Sequence, residues 1–127
     1  KVIDRPSELS EDHVWTQDVL SHALEWSERQ TGSEFDVLVR VQANSPQITS
    51  DKIDECIKKL QDFNLWEVFT VDEDGIEDAA VHAMLRRCVN QKALSVYKGV
   101  VRTDYIDVHS AQDVDKIAKL MKEIKKC

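Results

Sequence analysis

At 127 residues, with 42% hydrophobic and 32% charged side chains, the chain has room for one domain around one sizeable core. Its formal net charge of −7 argues against nonspecific nucleic-acid or anionic-membrane binding, which needs clustered positive charge. No apolar run approaches the ~20 residues that span a bilayer, and no signal peptide is visible. The cysteines, Cys56, Cys88 and Cys127, are odd in number and show no metal-ligand spacing. Cys56 and Cys88 fall inside apolar-periodic segments, as small core residues do, and a reducing cytoplasm is the expected compartment.

In chain order, Lys1–Asp4 reads as the tail of a strand and "RPSELSED" as a loop, because Pro6 biases Arg5 toward extended backbone. So abrupt an opening leads us to expect further sequence upstream. Asp12 or Thr16 can cap a helix running to about Arg29, with Val19, Leu20, Ala23, Leu24 and Trp26 on its apolar face. Gly32 stands at its expected end. "VLVRV" is a short, nearly all-apolar strand of the type buried on both faces of a parallel sheet.

A polar bend follows, Gln42-Ala43-Asn44-Ser45-Pro46, and then a helix capped by Ser50 or Asp51. Ile53, Cys56, Ile57 and Leu60 give that helix an i, i+3, i+4, i+7 stripe. "LWEVFTV" is a strand and "DEDG" its turn. Residues 76–93 are ambiguous: Ala and Met favour helix, and a strand at a subunit interface is the alternative. "LSVYKGVV" reads as a strand, "RTDYIDVHS" as a second short strand and loop, and Ala111–Lys126 as a closing helix whose lysines form its solvated face. The alternation of helices and strands predicts an α/β domain with a largely parallel sheet.

Several motifs carry little chemistry. Gly32, Gly75 and Gly99 are isolated, so no glycine-rich loop can converge backbone N–H groups on a triphosphate. "VDEDGIED" lacks the ligand spacing of a calcium loop and reads as a solvated turn. The four histidines are scattered, with His22 and His82 in helical or apolar segments. Ser45 lacks the glycines of a nucleophile elbow.

Two loops are more informative. The 42–46 bend and "IDVHSAQDV" at 106–114 each follow a short apolar strand and precede a helix. In a parallel sheet such strand ends gather on one edge, where ligands bind. Asp107 and His109, at i and i+2 of an extended segment, project to the same side. A carboxylate there suits a divalent cation held against phosphate oxygens. The plainer alternative is that Ser110 or Asp107 only caps the last helix.

"VIDRPSELSED" with "DVLSHALEW", then "FDVLVRVQANSP", then "DYIDVHSAQDV", in that order, is similar to the sugar-acid cytidylyltransferases. The acylneuraminate synthetases look nearest, with the Kdo cytidylyltransferases as cousins. The likeness covers most of residues 1–71 and 94–120. It implies the second part of a three-layer, Rossmann-like nucleotide-diphospho-sugar transferase fold, residues 1–127 being one α/β domain without the family's first strand and phosphate loop. The implied reaction joins a sugar acid to CTP, giving a CMP-sugar and pyrophosphate with Mg²⁺.

The resemblance implies nucleotide contacts for Arg5 and Thr16, and an acceptor-sugar contact for Gln42 with Asn44 and Ser45 shaping the bend. It implies a metal ligand in Asp107, whose usual partner acid is here His109. Kdo enzymes carry an acid where Asn44 stands, which sets that branch apart. The family's long dimerisation hairpin is shortened or replaced around 72–93, so a homodimer is admitted rather than required. A non-catalytic α/β binding or assembly module is the alternative from another class.

Overall fold

The computed structural model describes residues 2–124, and the side chains of 79, 123 and 124 are outside what is described. The element order is α1 (Thr16–Thr31), β1 (Val37–Val41), α2 (Ser50–Asp62), β2 (Glu67–Val71), β3 (Glu77–Leu85), β4 (Lys98–Arg102) and α3 (Ala111–Ile124), with short 3₁₀ turns at Ser7–Leu9 and Arg86–Cys88. None of the described helices is long and apolar enough to cross a membrane.

The four strands form one sheet in the order β1-β3-β2-β4. The expectation of a mostly parallel sheet is corrected here: it is mixed. β3 runs antiparallel to both of its neighbours, and only β2 and β4 pair in parallel. Because β1 and β2 each oppose β3, β1, β2 and β4 still point the same way, and their carboxyl ends share one edge.

Helices cover both faces. Cys56 and Leu60 of α2 are buried against Val68, Val81, Ala83 and Val101, with Ile53 and Ile57 packing alongside. On the other face Leu20 and Leu24 of α1 meet Leu38, Met84, Cys88 and Val89. Alternate residues of β1 divide between these clusters, Val37 and Val39 toward α2 and Leu38 toward α1, as the two-residue strand period requires. β4 approaches the connection between α2 and β2 so closely that a Cβ on Gly99 would lie 2.6 Å from Leu65 Cδ1.

Gly32 ends α1 at φ 68°, its N–H bonded to the Glu28 carbonyl, in the left-handed conformation where glycine has no steric penalty. Neither expected cap on α1 forms: Trp15 occupies the cap position without a side-chain bond. Thr49, not Ser50 or Asp51, occupies that position on α2, also without one.

Other expectations fail for physical reasons. "VLVRV" is a strand over the predicted residues but lies at the end of the sheet and is half-buried, because it pairs with β3 alone. Residues 77–85, left open between helix and strand, are a strand, and it lies inside the sheet. Flanked by β1 and β2, β3 gains ladder hydrogen bonds and buries Ala80, Val81, Ala83 and Met84, which outweighs the helix preference of Ala and Met. Residues 2–4 and 104–109 belong to no strand, and residues 94–97 precede β4 instead of joining it. The end of the closing helix at Lys126, like Cys127, lies outside the described residues.

Candidate functional site

At the carboxyl end of β1 the chain turns through Gln42–Pro46. Gln42 N–H bonds the Ala80 carbonyl, ending the ladder, and Ser45 N–H approaches the Gln42 carbonyl at 3.4 Å. After β4, Thr103 N–H bonds the Val71 carbonyl, and the chain crosses toward the bend. Bend and segment are joined three times. Ile106 N–H donates to Gln47 Oε1 (2.8 Å), Val108 N–H to the Asn44 carbonyl (2.8 Å), and Ser45 Oγ–H to Asp107 Oδ1 (2.5 Å).

Ser45 is 2% exposed, whereas Asp107 is about a quarter exposed at its side chain. Asp107 is thus fixed by one oxygen and presents the other, Oδ2, which stands 3.9 Å from His109 Nε2.

Ser110 performs the capping that competed with a role for Asp107. Its Oγ accepts from Asp113 N–H at 3.3 Å, while Asp113 Oδ2 accepts from the Ser110 N–H at 2.9 Å, a reciprocal capping box for α3. The Ser110 hydroxyl, then the His109 backbone N–H, hold the Asp113 carboxyl below its usual range. Asp107 takes no part in this cap.

The residues implied for metal and sugar therefore meet in part. Ser45, Asn44 and Asp107 converge, His109 is exposed beside Asp107, and Gln42 is half-buried at the start of the same bend. Arg5 and Thr16 are both exposed elsewhere: Arg5 Nε bonds Ser10 Oγ (3.1 Å) in the N-terminal loop, and Thr16 opens α1. No described hydrogen bond links either to the bend.

Among the described residues no three His, Cys, Asp or Glu side chains gather to hold a metal. The pair at 107 and 109 fits Mg²⁺ only through the Asp107 carboxylate, since this hard cation prefers oxygen and takes one or two protein carboxylates with phosphate oxygens and waters. The imidazole of His109 does not fit that preference.

Beside the pair lies a cleft of about 600 Å³, between Ala43, Asn44, Pro46 and Val108 on one wall and Val114, Ile117, Ala118 and Met121 of α3 on the other. Among the described residues Asn44 is its one polar side chain.

Sequence reading missed a second polar cluster on the α1 face. His82 Nε2 lies 3.0 Å from Glu67 Oε2, and the Ser95 N–H donates to Glu67 Oε1 at 2.5 Å, both side chains being nearly buried. Arg40 lies across from His82 in the β1–β3 register, and all three line a cavity of about 120 Å³. Burial lowers the His82 pKa, against the pull of Glu67. Only the cross-strand register brings these residues together, and no spacing in the sequence signals it. The chain matches no family model and no curated protein.

Proposed function

We propose that this chain is the acceptor- and cation-binding part of a cytidylyltransferase that activates a sialic-acid-like sugar acid with CTP. The observation that carries this reading is the Ser45–Asp107 hydrogen bond, which joins two strand-end loops on the edge where α/β sheets bind ligands.

In this reaction a hydroxyl oxygen of the sugar acid bonds to the α-phosphorus of CTP, the bond to the pyrophosphate oxygen breaks, and the hydroxyl proton passes to solvent. Such transfers depend on positioning and charge stabilisation. Gln42 would hold the acceptor through its side-chain amide, with Asn44 and Ser45 fixing the bend. Asp107 Oδ2 would hold Mg²⁺, with His109 at the rim of the site. When bound, Mg²⁺ supplies charge neutralisation on the phosphate oxygens. Arg5 and Thr16 would contact the nucleotide. The triphosphate itself needs a glycine-rich cradle that these residues lack, so it would come from sequence outside them. We place the protein in the cytoplasm, where CTP is available.

A specific observation favours a second reading, a non-catalytic docking module: the cleft beside Asp107 is lined almost wholly by apolar side chains, which suit a protein segment better than a sugar acid. Titrating the isotopically labelled chain with N-acetylneuraminate and Mg²⁺ separates the two by NMR. The enzymatic reading expects shifts at Gln42, Ser45 and Asp107. No shift in these amides at saturating sugar acid contradicts it.

A further inference from the structure

The cavity of about 120 Å³ beside His82 is walled by described residues of α1, β1, β2, β3 and the 88–94 segment. Its polar lining is Arg40, Glu67 and His82 from the sheet, with Gln17, Gln91 and Lys92 around them. None of these residues belongs to the strand-end site. At a liquid share of about 30 Å³ per molecule, the space equals about four waters. It is too small for a nucleotide or a sugar acid, since pockets for ligands of that class start near about 300 Å³.

The hydrogen bonds inside the cavity decide what it can take. Glu67 uses both carboxylate oxygens: Oε1 accepts from the Ser95 N–H, and Oε2 stands 3.0 Å from His82 Nε2. A carboxylate only accepts, so Nε2 carries the proton of this pair, and the neutral ring keeps Nδ1 as an acceptor. Among the described residues no hydrogen bond reaches Nδ1, although the His82 side chain is only 10% exposed. Two cations face the single carboxylate. Arg40 lies in register with His82, and Lys92 places its Nζ 5.4 Å from the Trp15 ring centroid. Burial lowers the Arg40 pKa in spite of Glu77, as for a cation held where water is scarce.

We infer that this cavity binds a small oxyanion that carries an O–H group of its own, hydrogen phosphate or bicarbonate. The anion's oxygens accept from the Arg40 guanidinium, whose donor fork suits oxyanions, and from the Gln17 and Gln91 amides. Its O–H donates to His82 Nδ1. Sulfate resembles hydrogen phosphate in charge and shape but has no O–H at neutral pH, so it leaves Nδ1 without a donor. This inference does not rest on the nucleotidyltransferase reading.

NMR titration of the ¹³C,¹⁵N-labelled chain with sodium phosphate, bicarbonate or sulfate tests it, at neutral pH and an ionic strength held constant with sodium chloride. The readouts are the His82 ring and the Gln91 and Lys92 amides. We expect saturable shifts with phosphate or bicarbonate, the tighter of the two naming the ligand, and binding of sulfate weaker by roughly tenfold or more. Arg40→Gln should raise the dissociation constant roughly tenfold. Should that variant fail to fold by circular dichroism, Lys92→Gln, at an exposed position, decides in its place with a rise in the same direction. Shifts no larger than chloride causes would mean that the cavity holds water alone, and they overturn the inference. Equal affinity for sulfate, or wild-type affinity in the folded variant, overturns it too.

Discussion

Ser45 and Asp107 lie 62 residues apart in sequence, yet the serine hydroxyl donates to Asp107 Oδ1 at 2.5 Å and locks the bend after β1 to the segment after β4. A bond to a carboxylate with one partner buried contributes about 1.5–3 kcal/mol. Because Asp107 can recruit water when its partner is lost, Ser45→Ala should cost about 1–2 kcal/mol in urea unfolding. Asp107→Asn keeps an acceptor at the same place and should cost well under ~1 kcal/mol. A larger loss in the Asn variant than in Ser45→Ala would show that the charge, rather than the bond, holds the loops together.

The α3 cap gives a separate expectation. Ser110→Ala breaks the capping box and should destabilise the chain by about 1 kcal/mol. Helix content measured by circular dichroism should fall, and amide exchange of Asp113 and Val114, in the first turn of α3, should quicken. Asp107→Ala should leave those two amides as protected as before, since Asp107 makes no cap bond.

Glu28 binds Arg86 through both oxygens at 2.9 Å and also accepts from the Phe35 N–H, tying α1 to the end of β3. The Arg86 side chain, then the Phe35 N–H, lower the Glu28 pKa from 4.5 to about 2. A carboxyl depressed on folding stabilises above its unfolded pKa, and that stability is lost as pH falls through the folded value. The melting midpoint should decline from about pH 5 toward pH 2, and Glu28→Gln should flatten the decline. An unchanged slope in the variant would assign the acid sensitivity to other groups.

His82 acts in the same direction at higher pH. Burial lowers its pKa below the ordinary 6.5, so the unfolded chain binds a proton that the folded chain resists. Stability from keeping His82 neutral is complete above 6.5 and is lost as pH falls below it. Replacing the ring with the neutral amide in His82→Gln should remove this part of the pH dependence between 6.5 and the acid limb, as read by thermal melts.

Much of the local structure was legible because local chemistry decided it. Gly32 ends α1 where the sequence breaks the apolar periodicity, and the Ile53–Leu60 stripe faces the core as its spacing requires. The strand-end reasoning also paired the 42–46 bend with Asp107. β3 was hidden because neighbouring strands and covering helices bury Ala80 through Met84, leaving no polar alternation. The rim position of β1 was hidden too, since four apolar residues around Arg40 read the same at the centre of a sheet and at its rim. Likewise the Arg40–His82–Glu67 cluster exists only through register.

Mn²⁺ in place of Mg²⁺ gives the most direct test that Asp107 presents a cation-binding oxygen at the strand-end edge. Its paramagnetism broadens amide resonances near the bound ion in the ¹⁵N-labelled chain. Broadening should centre on Asp107 and include Ser45 and Val108, and it should vanish in Asp107→Asn. Broadening centred on the acidic turn at Asp72–Asp74, with Asp107 and Ser45 unaffected, would contradict the account.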